Sequence, residues 1–166
     1  MSRAEEIKIF LLLQALKASI LNRLTKVLSQ NKENNIKSLV AYLVAGDPCE
    51  ESTLELLNGF ALSGVDVIEV GVPFSDPIAE GPIIQSAHDR SLKNGTNLKK
   101  ILKIIKSFRK SNSHTPIVLM GYINGFLANQ SKFKNFSQHG VDGVLIVDVP
   151  GCLLYTSPSP RDISRS

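Results

Sequence analysis

The sequence predicts an α/β protein built on a parallel sheet, and three observations carry that expectation. Four short runs are almost wholly apolar: Leu39–Ala45, Val67–Val72, Ile117–Gly121 and Val144–Asp148. They are rich in Val, Ile and Leu and lack the polar alternation of a sheet with one wet face, as strands covered on both sides do. Segments of helical spacing separate them, and Gly64, Gly95 and Gly140 stand where those helices would end. The order reads βαβαβαβ, a parallel sheet covered by helices.

Taken in order, residues 1–35 form an N-terminal helical extension whose first twenty or so residues carry no further reading. The first strand, LVAYLVA, ends in Gly46-Asp47-Pro48. Ser52–Leu62 then places Leu54, Leu57, Phe60 and Ala61 on one helical face. The second strand, VIEVGV, runs into a Pro-, Ser-, Asp- and Gly-rich loop from Pro73 to Pro82. Two helical segments follow, Ile83–Leu92 and the stretch from Lys93 to Lys110. In the latter, Leu98, Ile101, Leu102, Ile104, Ile105 and Phe108 alternate with five lysines. The third strand ends in Tyr122-Ile123-Asn124, Lys132–Gln138 carries Phe133 and Phe136 at helical spacing, and Asp148 closes the fourth strand. Residues 36–151 hold all four βα units. From Cys152 the sequence CLLYTSPSPRDISRS turns Ser-, Pro- and Arg-rich with no period. Residues 152–166 therefore read as a disordered, non-native tail joined to a truncated reading frame.

Composition narrows the function classes. At 166 residues the chain is long enough for one domain with a core. No run approaches the roughly 20 apolar residues of a membrane span, and Ile9–Leu13 is too short for one. The net charge of +4 is concentrated near the N-terminus and in the lysine-rich helix. A nucleic-acid surface would need an aromatic or Arg-rich base-reading set alongside, so the lysines read as a solvated face and no nucleic-acid partner is expected. Cys49 and Cys152 have no metal-ligand or redox spacing, so a reduced, cytoplasmic setting is the expectation. No glycine-rich nucleotide fingerprint occurs, and His88, His114 and His139 show no paired ligand spacing, so no metal site is expected.

Two architectures accommodate four βα units: a small open sheet, or half of a (β/α)8 barrel, which takes about 250 residues when complete. Both place sites at the C-terminal ends of strands, where the polar residues gather. Glu69 favours the barrel. It shares strand parity with Val67 and Gly71, opposite Ile68, Val70 and Val72, so its side chain needs a cavity on the other face of the sheet.

Chemistry points to the same stretch, VIEVGVPFSDPIAEGPIIQ from Val67 to Gln85. A carboxylate in an apolar strand costs several kcal/mol unless it is paired or its pKa moves. Glu69 is thus a candidate general acid or base with a raised pKa, or else a glutamate paired with a cation inside the fold. Glu80, in the loop, is expected to be more solvated and more readily ionised, either as a second carboxylate with a divided role or as a plain loop charge. Asp76 reads as a turn-capping side chain. Tyr42 and Tyr122 offer aromatic walls with a hydroxyl, or core packing. Asn124 and Gln85 could orient a ligand or satisfy loop backbone.

The Val67–Gln85 stretch resembles the signature of the tryptophan synthase alpha chain family. LVAYLVAGDP at the first strand, MGYIN at the third and GVDGVLIVDVP at the fourth agree in order and spacing, over about Asn22 to Gly151. The resemblance implies a (β/α)8 TIM barrel that cleaves indole-3-glycerol phosphate to indole and glyceraldehyde 3-phosphate. It implies an α2β2 assembly with a beta chain that holds pyridoxal phosphate, and no cofactor in this chain. By the same resemblance, Glu69 handles the protons of the cleavage, and Glu80 occupies the position that holds the indole nitrogen, where the family has aspartate. Tyr42, Met120, Tyr122, Leu145 and Val147 fall on the indole pocket. Pro73, Asp76 and Asn124 fall on the face towards the beta chain, and Asp148 supports the site. The family's last four strands, with the mobile loop and the phosphate grip, have no counterpart here, so this fragment is expected to be inactive alone.

Overall fold

The structure, a computed structural model, describes residues 23–127 and 136–148. Four strands, β1 (Val40–Val44), β2 (Val67–Gly71), β3 (Ile117–Gly121) and β4 (Gly143–Ile146), form one parallel sheet in the order β1-β2-β3-β4. Helix α1 (Arg23–Glu33) precedes them, and α2 (Glu50–Leu62) joins β1 to β2. Helices α3 (Pro82–Lys93) and α4 (Leu98–Ser111) lie between β2 and β3. A five-residue α5 (Ile123–Leu127) follows β3, and a 3-10 turn at Ser137–His139 precedes β4.

The register divides the sheet into two faces. Leu43, Val70 and Leu119 are aligned across β1, β2 and β3, as are Ala41, Ile68 and Ile117. These residues pack with Leu57 of α2 and with Leu98, Ile101, Leu102, Ile105 and Phe108 of α4 in one hydrophobic cluster. The six apolar residues of the lysine-rich helix are all buried, so its apolar face lies on the sheet. On the opposite face the alternation of strand side chains stacks two rows. One is Tyr42, Glu69, Val118 and Gly143; the other, nearer the C-terminal ends, is Val44, Gly71, Met120 and Leu145.

Helix α1 belongs to the N-terminal end of the sheet. Arg23 donates from Nε to Asp142 at 2.6 Å and from Nη2 to the Gly140 carbonyl at 3.2 Å, and Asn31 donates to Asp66 at 2.9 Å. Asp142 also receives Arg109 Nη2 and the Ile117 N–H, each at 2.8 Å. This carboxylate therefore joins α1, α4, β3 and the approach to β4.

Several expectations shift. The fourth strand ends at Ile146 rather than at Asp148, which lies in the turn that follows and accepts the Ile123 N–H at 2.7 Å. Ile123 and Asn124, expected in a loop, open α5. The predicted helix Lys132–Gln138 falls largely outside the described residues, and Gly140, at φ +90°, caps a 3-10 turn instead of an α-helix. Gly64 and Gly95 have positive φ after α2 and α3, as expected of helix ends. Residues 1–22 and 149–166 lie outside the description, so the extension is seen only as α1 and nothing bears on the tail.

Candidate active site

Glu69 is the half-buried position in an otherwise buried β2. Its neighbours in register are Tyr42 on β1 and Val118 on β3. The ion pairs among the described residues engage Asp47, Glu50 and Asp142. Among the described residues no lysine or arginine is paired with Glu69.

Tyr42 leans from β1 towards the C-terminal end of β2. A Cβ built on Gly71 would stand 2.9 Å from its Cζ and collide with its hydroxyl, so the tyrosine rests where β2 has no side chain. The Tyr42 hydroxyl is buried and without a hydrogen-bond partner among the described residues. Burial, followed by the negative potential of Glu80, Tyr122 and Glu69, holds it far above the usual phenol range. Those four groups therefore share one electrostatic neighbourhood. Two carboxyls and two phenols thus come together on the face opposite the main core cluster.

The loop between β2 and α3 carries Glu80 into this neighbourhood. Within the loop, the Ile78 N–H bonds to the Asp76 carbonyl at 2.9 Å and the Glu80 N–H to the Pro77 carbonyl at 3.0 Å. Two bonds tie Phe74 and Ala79 of the loop to other elements. The Ala79 N–H donates to the Tyr122 hydroxyl at 3.0 Å, and the Phe74 N–H donates to His88 Nδ1 at 3.0 Å. Phe74 and Tyr122 stack with centroids 5.1 Å apart and planes 17° from parallel.

Glu80 departs from its expectation. The loop is folded back against Tyr122, so this carboxyl is half-buried and burial raises its pKa. It is therefore less readily ionised than a free glutamate, against the expectation of a readily ionised loop carboxylate. Gln85 takes the bland alternative, donating to the Glu80 carbonyl at 2.8 Å. Burial also raises the Tyr122 phenol, with Glu80, Asp148 and Asp76 adding to it and the Ala79 N–H opposing them.

The other expected residues divide. Met120 and Leu145 are neighbours in register on the same face as Glu69, with Leu145 43 % exposed, and Val147 is half-buried on the turn beyond β4. Asp76 is exposed on its loop and Asn124 in the first turn of α5, whereas Pro73 is buried at the root of its loop and offers little surface to a partner. Asp148 holds the start of α5. Among the described residues no group of three His, Cys, Asp or Glu side chains could hold a metal ion, and no helix is long and apolar enough to cross a membrane.

Sequence reasoning missed the anchoring role of α3. Arg90 forms a two-pronged pair with Asp47 at 2.7 and 2.8 Å, Ser91 donates to the Ala45 carbonyl at 2.6 Å, and His88 receives the Phe74 amide. One helix thus holds the loops after both β1 and β2. The signal was available: Ile84, Ala87, His88 and Ser91 recur at helical spacing, so His88 and Ser91 lie on a buried stripe where polar atoms need partners.

Comparison with known proteins agrees with this geometry. The family model described as tryptophan synthase alpha chain matches residues 28–153. The alpha chain of Marinobacter nauticus is 45 % identical over 132 residues, covering 78 % of this chain and 49 % of that protein. The crystal structure of the Legionella pneumophila alpha subunit superposes with a TM-score of 0.74 at 40 % identity, over 78 % of this chain and 50 % of that one. A chain of the Pyrococcus furiosus tryptophan synthase complex superposes with a TM-score of 0.63 at 45 % identity, over 68 % and 47 %. The chain spans about half the length of the curated relatives it matches. Its four parallel strands and alternating helices are part of a (β/α)8 barrel, and the chain belongs to the tryptophan synthase alpha chain family.

Proposed function

We propose that these four βα units carry the acid–base half of a site that cleaves indole-3-glycerol phosphate to indole and glyceraldehyde 3-phosphate. The observation that carries the reading is the pair Glu69 and Glu80 beside Tyr42, with no cation paired to Glu69 among the described residues. Breaking the bond between the indole ring and its side chain requires a proton at the ring carbon that is released. It also requires removal of the proton from the hydroxyl that becomes the aldehyde. Glu69, fixed on a strand, is suited to that proton transfer. Glu80, on the adjoining loop, is suited to accept the ring N–H. In its ionised form it would also stabilise positive charge developing on the ring. The side chains of Tyr42, Met120, Tyr122, Leu145 and Val147 supply an aromatic and aliphatic wall for a flat apolar ring.

In this reading the chemistry needs no cofactor from the chain, and indole passes to a beta chain whose pyridoxal phosphate joins it to serine. Asp76 and Asn124 mark the surface for that partner, in a cytoplasmic α2β2 assembly. The substrate phosphate is gripped by later βα units of the family's barrel, so residues 36–151 alone bind substrate weakly and turn it over poorly.

The test is a hybrid barrel in which residues 28–148 of this chain replace the matching half of the Marinobacter nauticus alpha chain. Indole release from indole-3-glycerol phosphate, and no turnover of a panel of other sugar phosphates, is the expected result. A folded hybrid that acts on another phosphate ester in preference would refute the substrate. A second reading has one observation in its favour. Among the described residues β1 and β4 pair on one side only, and Val40 and Leu145 are 48 % and 43 % exposed. Such edges pair with other chains, so a silent, self-associating half-barrel would appear as a dimer or larger species by sedimentation.

A further inference from the structure

His88 is 1 % exposed, belongs to α3 and holds Phe74 in the loop that carries Glu80. We propose that His88 is a positioning residue for Glu80, acting through the Phe74 amide. This inference rests on Glu80 being the second carboxylate of the site.

The geometry runs in three steps. The Phe74 N–H donates to Nδ1 of His88 at 3.0 Å, which fixes Phe74 against α3. The Phe74 ring stacks on Tyr122 at 5.1 Å, so the position of Phe74 sets that of the Tyr122 ring. The Tyr122 hydroxyl then accepts the N–H of Ala79, the residue before Glu80, at 3.0 Å. The bonds from Ile78 to Asp76 and from Glu80 to Pro77 are local turns that fix the loop's shape without fixing its place. Gln85 of α3 holds the Glu80 carbonyl at 2.8 Å, and His88 and Tyr122 place the stretch from Phe74 to Ala79 that leads to it.

An acceptor is required at this point, and a buried imidazole provides one only in a single tautomer. With Nδ1 accepting, the ring proton sits on Nε2. Burial pushes the His88 pKa down, which keeps Nδ1 free to accept. Nε2 itself has no hydrogen-bond partner among the described residues. A polar ring held at that cost is retained for what its other nitrogen does.

The test is nuclear magnetic resonance on the full 166-residue chain, with no dependence on turnover. In the unmodified protein the His88 ring is expected to carry its proton on Nε2; a neutral ring protonated on Nδ1 overturns the proposal. His88→Leu removes the acceptor, and His88→Asn restores it, because the asparagine Oδ1 can occupy the place of Nδ1. The leucine variant is expected to exchange its Phe74 and Ala79 amides about tenfold faster, the size of one lost hydrogen bond. Its Glu80 carboxyl should titrate closer to an ordinary glutamate. The asparagine variant is expected to return all three towards the parent values. A leucine variant that loosens Phe74 alone, with Ala79 and Glu80 unmoved, overturns the proposal, as does an asparagine variant that rescues nothing. Failure of the indole assay would bear on the role of Glu80 in cleavage and would leave these readouts intact.

Discussion

Replacing Asp142 with alanine should cost about 3 kcal/mol of folding stability, and the structure shows how that sum is distributed. The carboxylate is 7 % exposed and receives three donors: Arg23 Nε at 2.6 Å, Arg109 Nη2 at 2.8 Å and the Ile117 N–H at 2.8 Å. Arg23 is partly in solvent, so its share is about 0–1 kcal/mol. The Ile117 amide sits on a residue with no exposure and would be orphaned, which costs about 1–3 kcal/mol. Removing one member of a buried ion pair costs about 3–5 kcal/mol when the other charge is stranded. Arg109 is not fully stranded, because it also donates to the Thr115 carbonyl at 2.7 Å and to the Gly140 carbonyl at 2.8 and 2.9 Å. Burial nevertheless holds its pKa down to about 10, so it gains from the Asp142 charge beside it. With a urea slope of about 2 kcal/mol/M, the unfolding midpoint followed by circular dichroism should fall by about 1.5 M. Arg23→Met should cost less than about 1 kcal/mol. An Asp142→Ala loss below about 1 kcal/mol, or an Arg23→Met loss equal to it, would refute the account of this cluster.

Three further outcomes follow from the same structure. Glu80→Gln should stabilise the chain at neutral pH. Burial raises the folded pKa of Glu80, so the acid form's contribution is complete below the ordinary 4.5 and is lost as pH rises through the folded value. The difference between variant and parent in urea midpoints should therefore vanish below about pH 4; a constant difference across pH would contradict this. Tyr42→Phe removes a buried, unpartnered hydroxyl, so thermal unfolding should show no loss of stability and a gain of up to about 1 kcal/mol, whereas a loss of that size would mean the hydroxyl is bonded. Ile105→Ala, at a site with no exposure in the main core cluster, should cost about 2–5 kcal/mol by urea unfolding, and a loss under 1 would show that α4 packs differently.

The sheet was legible in the sequence because each strand is short, apolar and bounded by turn residues. The opposed parity of Glu69 and Ile68 already separated a helix-covered face from a polar one, and the register places Tyr42 beside Glu69 as that parity requires. The amphipathic α4 was legible for a similar reason, since its period survives around every lysine. What was not legible depended on partners distant in sequence. Asp142 looks like a loop charge until Arg23, 119 residues away, and Arg109 reach it. Glu80 looked solvated because nothing local buries it; Tyr122, through the Ala79 amide, folds the loop back. Asp148 read as the end of a strand, but its carboxylate caps α5, a helix too short to leave a period. His88 was passed over because it was judged as a metal ligand and not as a hydrogen-bond acceptor on a buried stripe.

The claim at the centre of this account is that Glu69 transfers the proton during cleavage. Its most direct test is steady-state indole release by the hybrid barrel carrying residues 28–148, with and without Glu69→Gln, alongside circular dichroism to confirm that both fold. The substitution keeps the shape of the side chain and removes its ability to exchange a proton. The account predicts a loss of about a hundredfold to ten-thousandfold in kcat with the fold intact. A folded Glu69→Gln hybrid that releases indole within a few-fold of its parent would contradict it.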